Sequence, residues 1–419
     1  MAAGAGEILQ LIRSGRATTR TQVLEATGLS RVTVAQRMDA LVAAGIVRAA
    51  GSAGATGGRR SERFVFDPAD SLVLVAALEL GEPVPDAAAQ RGPQARPSDA
   101  ASDSAPLRGS QAHSSDAAEL AVVDPHGALL ARMPLAVDVA AGPGVVVPQL
   151  LDAFDELLAD AGIKPAAVGG VALSVPGPVD PQDHRLSDPP VMPGWGAWPV
   201  VEAVRERFDV PVHLENDADA MAYGEFTELG AGRGNRPQPF VLVKVSGYLG
   251  AGLVIDGNTY RGTDGGAGDV GHVDVGGDAI CRCGRRGCLA AEAGGAALLR
   301  RLAEAGSDVG SLAELRALAE RGDPLVTAEL DRAAGLIGRV LAVVVGVLNP
   351  ADLVVAGELA VPTMIAGIRA GVYAGAQPRA TARLRIRPAV LGPDAVLIGL
   401  ARVAVDDRFS AEAVDARLG

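Results

Sequence analysis

The chain has 419 residues and a formal net charge of −12, with 48% hydrophobic and 21% charged residues. That is the composition of an ordinary soluble protein of two or three domains, and its negative balance excludes a protein that coats nucleic acid over its whole surface. No basic-then-apolar layout opens the sequence, and "LAVVVGVL" (341–348) is too short to span a bilayer, so the expectation is a cytoplasmic protein with no membrane partner.

The charge is uneven. Residues 1–66 hold nine arginines against Glu7, Glu25, Asp39 and Glu62, a local +5 that leaves −17 for the rest. Such asymmetry implies a small polyanion-binding head on an acidic body. Within the head, "GEILQLIRSG" places Ile8, Leu11 and Ile12 at helical spacing. Thr19 with Gln22 three residues later makes a capping box, opening a helix that runs through Ala26. Gly28 permits a sharp turn and Ser30 caps the next helix, which buries Val34, Met38 and Leu41. Helix, glycine turn, helix is the outline of a helix-turn-helix. Arg31, Thr33, Gln36 and Arg37 are then free to reach a DNA groove. The following "GIVRAAGSAGATGGRRSERFVFD" reads as two short strands around a glycine-rich tip, a wing with Arg59, Arg60 and Arg63 placed to follow the phosphate backbone or enter the minor groove. A three-helix packing module with solvated arginines fits the helical outline too; the wing and the local charge favour DNA.

Residues 82–118 are rich in Pro, Ala, Ser and Asp without apolar periodicity, and are expected to be disordered. Strand patterns flank them: "SLVLVAALEL" before, and "AELAVVDPHGALLARMPL" after, the latter turning at "DPHG". A helix over 144–160 then leads to the apolar strand "VGGVALSV" (168–175). Further on come "FVLVKVS", "AGLVIDG", the helix "AELDRAAGLIGRVLAVVVGVL" and the strand "DLVVAG". Alternation of this kind describes an α/β body of two lobes.

"ALSVPGPVD" (172–180), the stretch 189–225 containing "LENDADAMAYGE", "GAGLVIDGNTYRGTDGGAGDVGH" (250–272) and "CRCGRRGC" (281–288) resemble the ROK family, whose name joins repressors, open reading frames and sugar kinases. The resemblance covers about residues 70–405 outside the insert, and the winged head is similar to that of the repressor branch. It implies a winged helix-turn-helix (1–66) followed by a two-lobed α/β actin-like ATPase (ribonuclease H-like) fold (67–419) with sugar in the cleft. The lobes are expected at about 67–199 plus 391–419, and 200–390.

All three cysteines lie within eight residues, too close for a disulfide framework. Cys281, Cys283 and Cys288 with His272 supply three thiolates and an imidazole, a set that suits tetrahedral zinc, although plain core thiols fit the count as well. The resemblance assigns these four to a structural Zn2+. It also makes Asp217 the position of the base that takes a proton from a sugar hydroxyl, and places Asn216, Asp269 and His272 with it on the sugar. Ala290 stands where that pattern has a glutamate, with Glu292 two positions on.

Phosphoryl transfer also needs bare backbone amides to hold phosphate. The resemblance puts the first such loop at Glu79-Leu80-Gly81-Glu82-Pro83, which here has a second carboxylate and a proline that has no N–H. The later loop carries Tyr248 in a glycine position, and "VAGEL" has Ala356 in another. No ATP is expected. Trp195 and Trp198 read as core or lid packing. The combined expectation is a transcriptional regulator, a repressor of sugar-related genes. It would bind a double-stranded operator as a homodimer or homotetramer and sense a sugar or sugar derivative. Two alternatives stay open: an active sugar kinase with a DNA-binding head, and a ligand-blind body that only dimerises.

Overall fold

The computed structural model describes residues 3–52, 62–81, 116–187, 192–230 and 237–418. The head is built as its caps dictate, from α1 (Ala5–Arg13), α2 (Arg20–Thr27), α3 (Arg31–Ala43) and the antiparallel pair β1 (Val47–Ser52) and β2 (Glu62–Phe66). Thr19 and Gln22 form the reciprocal capping box, Gly28 closes α2 in the left-handed region at φ 67°, and Ser30 caps α3. Ile8, Leu9, Val23, Val34, Met38, Leu41 and Phe64 are buried together. Leu9 takes the fully buried place expected of Leu11, which packs at the edge.

Two five-stranded sheets form the body. The first contains β3 (Leu72–Glu79), β4 (Ala117–Val123), β5 (Leu129–Ala136), β6 (Val168–Val175) and β7 (Val212–Asn216), in the order β5-β4-β3-β6-β7. Between these strands run α4 (Pro143–Asp160) and α5 (Val200–Phe208). After α6 (Asp217–Gly230), the second sheet contains β8 (Phe240–Val245), β9 (Leu249–Ile255) and β10 (Asn258–Thr259). The chain then forms α7 (Leu289–Ala293), α8 (Gly295–Glu304), α9 (Leu312–Glu320) and α10 (Pro324–Leu348), before β11 (Asp352–Ala356). Next come α11 (Pro362–Gly375), α12 (Pro378–Thr381) and β12 (Arg385–Pro388), and the chain closes with α13 (Ala395–Arg408) and α14 (Ala411–Leu418). The second sheet's order is β10-β9-β8-β11-β12. Each sheet is thus an antiparallel three-strand meander extended by two parallel strands.

Two boundaries differ from expectation. The strand Val212–Asn216 pairs in parallel with β6, so the first lobe reaches Asn216 instead of ending at 199. The insert is also shorter at its C-terminal end. Ala117 and Ala118 pair with β3, and the buried Asp116 accepts N–H bonds from Gly81 (2.8 Å) and Val139 (3.1 Å). The rest of the expected disordered segment lies outside the described residues.

Both faces of the central strands are covered, which explains their near-continuous apolar runs. Leu74, Ala76 and Leu78 face α4, while Val73, Val75 and Ala77 face α13. α6 leaves the first sheet to cover the second, and α13 leaves the second to cover the first. The two helices cross between the sheets, where only glycine fits: a Cβ on Gly399 would meet the Ala220 carbonyl oxygen at 1.8 Å, and one on Gly224 the Ala395 oxygen at 2.5 Å. The head docks on this layer through α1 and α14. Gly6 N–H donates to Asp415 at 2.8 Å, and Gln10 Nε2 to the Phe409 carbonyl at 2.7 Å. Among the described residues no helix is long and apolar enough to cross a membrane.

Gly399→Ala is expected to cost about 1–3 kcal/mol of stability through overpacking. Urea unfolding of the full chain measures it; an unchanged midpoint would show that the crossing tolerates a wider separation.

Candidate functional site

On the head, Ser30 Oγ accepts the Thr33 N–H at 3.1 Å and so fixes the first turn of α3. Arg31 and Gln36 are exposed, Thr33 and Arg37 are half-buried, and Arg37 Nη1 is buried without a hydrogen-bond partner. These candidates share the first two turns of one helix. Arg63 is exposed on β2, whose Phe64 N–H bonds the Thr18 carbonyl at 2.7 Å; Arg59 and Arg60 lie outside the described residues. Sequence reasoning missed Val32. This residue is 67% exposed at the start of α3, where an apolar side chain suits a thymine methyl group. An apolar residue out of step with the buried positions was the available signal.

In the body, a cavity of about 220 Å³ opens at the carboxyl ends of β3, β8 and β11. Open α/β sheets bind ligands at such ends. Its walls include Glu79, Gly81, Asp217, Lys244, Tyr248 and Glu358. Of the four residues expected on a sugar, only Asp217 lines it. Asn216 instead caps α6, accepting the N–H groups of Ala218 (2.9 Å) and Asp219 (3.2 Å) and donating to the Gly177 carbonyl (3.0 Å). Asp269 and His272 come together elsewhere, with Asp269 Oδ1 3.8 Å from His272 Nε2.

Asp217 is heavily engaged. Its Oδ1 accepts the Ala218 N–H at 2.7 Å and its Oδ2 accepts Lys244 Nζ at 2.6 Å. Burial works against the Lys244 ammonium, but the facing carboxylate outweighs it and raises the lysine pKa. This pair was not foreseen, although a lysine inside the apolar "FVLVKVS" was its sign. The loop that would hold phosphate is also occupied by its own chain, since the Gly81 N–H is spent on Asp116. Tyr248 carries the Arg282 guanidinium 4.3 Å from its ring centre. Beside the cavity, buried Glu215 pairs with Arg261 at 3.2 Å (Nε). Asp219 is buried with one carboxylate oxygen unpartnered, and that burial drives its pKa to about 8 against the pull of Arg261.

His272, Cys281, Cys283 and Cys288 converge, their ligand atoms all within 4.8 Å of one another. Cys281 Sγ lies 3.4 Å from His272 Nδ1 and Cys283 Sγ 3.7 Å from Cys288 Sγ. A tetrahedral ion with metal–sulfur bonds of about 2.3 Å sets sulfurs about 3.8 Å apart, so the donor set fits a metal. Short bridges at Asp274/Cys288 and Ile280/Arg286 hold the knuckle in shape. Glu292 serves the same loop by accepting the Ala279 N–H at 3.1 Å, so it does not replace the glutamate missing at Ala290. Trp195 is core, its Nε1 donating to the Val139 carbonyl at 3.2 Å.

Residues 115–407 match the ROK family. The chain belongs to the ROK family. Among its relatives, the xylose repressor of Bacillus spizizenii is 24% identical over 95% of this chain and 94% of its own length. A glucokinase of Halalkalibacterium halodurans is 26% identical but covers only 67% of this chain, with 89% of its own length. Among solved structures, a ROK family transcriptional regulator, described as a homologue of the Escherichia coli MLC protein, shares the fold. Its TM-score is 0.75 at 18% identity, over 99% of this chain and 98% of that one. ROK kinases therefore account for the body, and ROK regulators for the body together with its head.

The buried acid gives this ROK body a pH signature. Asp219 holds its proton when folded up to about pH 8, whereas an unfolded aspartate releases it near pH 4. The folded state binds more protons in that window, so stability falls as pH rises through it. Asp219→Asn removes this dependence. In thermal melts it is expected to match the parent near pH 4 and to exceed it progressively toward pH 8; parallel curves would show that the carboxyl is ionised in the fold.

Proposed function

We propose that the chain is a DNA-binding transcriptional regulator of sugar-related genes, acting as a repressor. The ROK body serves as sensor and dimerisation platform. One observation carries this reading: a winged helix-turn-helix is docked onto the core of a sugar-kinase-like body whose catalytic position, Asp217, is tied to Lys244. An aspartate whose oxygens already face an amide and an ammonium must give up one of those contacts to reach a sugar hydroxyl. A first loop whose amide is bonded to Asp116 cannot offer that amide to a phosphate, and Glu79 beside it repels one. Phosphotransfer is accordingly absent in this reading. The relatives that match along the whole chain bear repressor or regulator names, which supports it.

On DNA, Arg31, Gln36 and Arg37 read base edges, Ser30 and Thr33 fix the helix to phosphate, and Arg59, Arg60 and Arg63 follow the backbone from the wing. A two-fold dimer places its recognition helices in half-sites one helical turn, or a multiple, apart. Asp217, the one of the four candidates that lines the cavity, faces a sugar or sugar derivative, with Asn216 fixing its turn of α6. Binding releases DNA only insofar as affinity differs between the two shapes of the protein. In the knuckle, His272, Cys281, Cys283 and Cys288 would hold a zinc with no open position for water, whose contribution would be structural. His272 Nδ1 faces Cys281 and its Nε2 faces Asp269.

Fluorescence anisotropy with a duplex from upstream of the gene tests this reading. Binding is expected to weaken steeply with salt, and Arg37→Ala to lower affinity by about tenfold. Salt-insensitive binding, or ADP release from glucose and Mg-ATP that Asp217→Ala abolishes, would favour the kinase reading. Elemental analysis is expected to find one zinc per chain, lost in Cys283→Ser together with part of the thermal stability.

A further inference from the structure

α6 starts in the ligand cavity at Asp217, and Tyr223 lies six residues along it, about 9 Å further down its axis. Tyr223 Oη donates to Asp406 Oδ2 at 2.6 Å. The other oxygen of the same carboxylate accepts Arg13, in the last turn of α1 on the DNA-binding head. Asp406 itself belongs to α13, the helix that crosses α6 at Gly224 and Gly399. A single side chain thus joins the cleft helix, the central helix and the head.

The surroundings leave little slack. Side-chain exposure is only 16% for Arg13 and 30% for Asp406. The Arg13 guanidinium also sits 4.8 Å over the ring of Phe66, at the end of the wing, and Phe66 packs edge-on against Phe409 at 5.1 Å. Burial, and then the Asp406 carboxylate, hold the Tyr223 hydroxyl protonated well above the ordinary phenol range, so it remains a donor. Close-packed interiors move by switching between discrete contacts instead of yielding smoothly. A shift of α6 when the cavity fills must therefore carry Tyr223 with it or break its bond to Asp406.

We propose that Asp406 is the coupling residue between cleft and head: its two oxygens hold Tyr223 and Arg13 at once, so the position of α6 sets how firmly α1 is docked. This rests on the regulator reading above and supplies its regulation. Loss of the Tyr223 bond frees one carboxylate oxygen, loosens the hold on Arg13, and so alters the orientation in which the head is presented to DNA. By linkage, whatever reorients the head also feeds back on the cleft end of α6.

Hydrogen exchange read by mass spectrometry on the full chain tests this without needing the ligand. Tyr223→Phe keeps the ring and removes only the hydroxyl. It is expected to speed exchange of α1 amides about fivefold, the equivalent of one lost hydrogen bond of about 1 kcal/mol. Arg13→Gln is expected to speed exchange at residues 217–220 in return, and Asp406→Asn to do both. Changes confined to the altered helix and to α13 would overturn the proposal; should Asp406→Asn lower global stability, the Tyr223→Phe result decides. Anisotropy with the upstream duplex is run on the parent chain in parallel. Absent DNA binding with intact coupling sinks the regulator reading alone, whereas DNA binding with uncoupled exchange sinks the relay alone.

Discussion

The molecule depends on two helices approaching each other more closely than side chains normally allow. At the crossing of α6 and α13, backbone meets backbone, because Gly224 and Gly399 offer no Cβ to hold them apart. Each helix springs from one sheet and covers the other, so the crossing is also where the lobes are tied together. The cavity lies at one end of α6 and the head is fastened beside α13. Ligand cleft and DNA-binding surface therefore share one packed layer, and neither can be displaced without that layer responding.

In the cleft, the polar groups are engaged with one another. Asp217 stands at the head of its helix, as a general base would. Each of its oxygens already accepts one bond, from an amide and from an ammonium. Around it, Asp116 accepts the Gly81 amide and Tyr248 lies beneath the Arg282 guanidinium. The Asp116 bond keeps the Gly81 amide paired, whereas Tyr248 Oη and Arg282 Nη2 are buried without a hydrogen-bond partner.

Local chemistry was legible in the sequence. Thr19 with Gln22, Gly28 and Ser30 mark helix ends through contacts only a few residues long, and the metal knuckle draws three of its four ligands from one eight-residue stretch. Long-range pairing was not legible. Nothing in "LENDADA" announces that Asn216 turns inward as a cap, or that Asp217 finds a lysine 27 residues away. Asp116 was hidden at the edge of a compositionally bland insert, and its role emerges only when β3 and β4 bring it to Gly81. The lobe boundary fell late for a similar reason: β7 reads as the start of something new, yet its hydrogen bonds belong to β6.

The burial of Lys244 has a practical side. The sequence contains two lysines; Lys164 is exposed at the start of a turn, and Lys244 is half-buried and paired with Asp217. An amine-acylating reagent therefore meets one free side-chain nucleophile on this protein and one that is locked away as its conjugate acid. The rate at which the second becomes labelled is an intrinsic gauge of how often its pairing with Asp217 opens, with no probe to be installed.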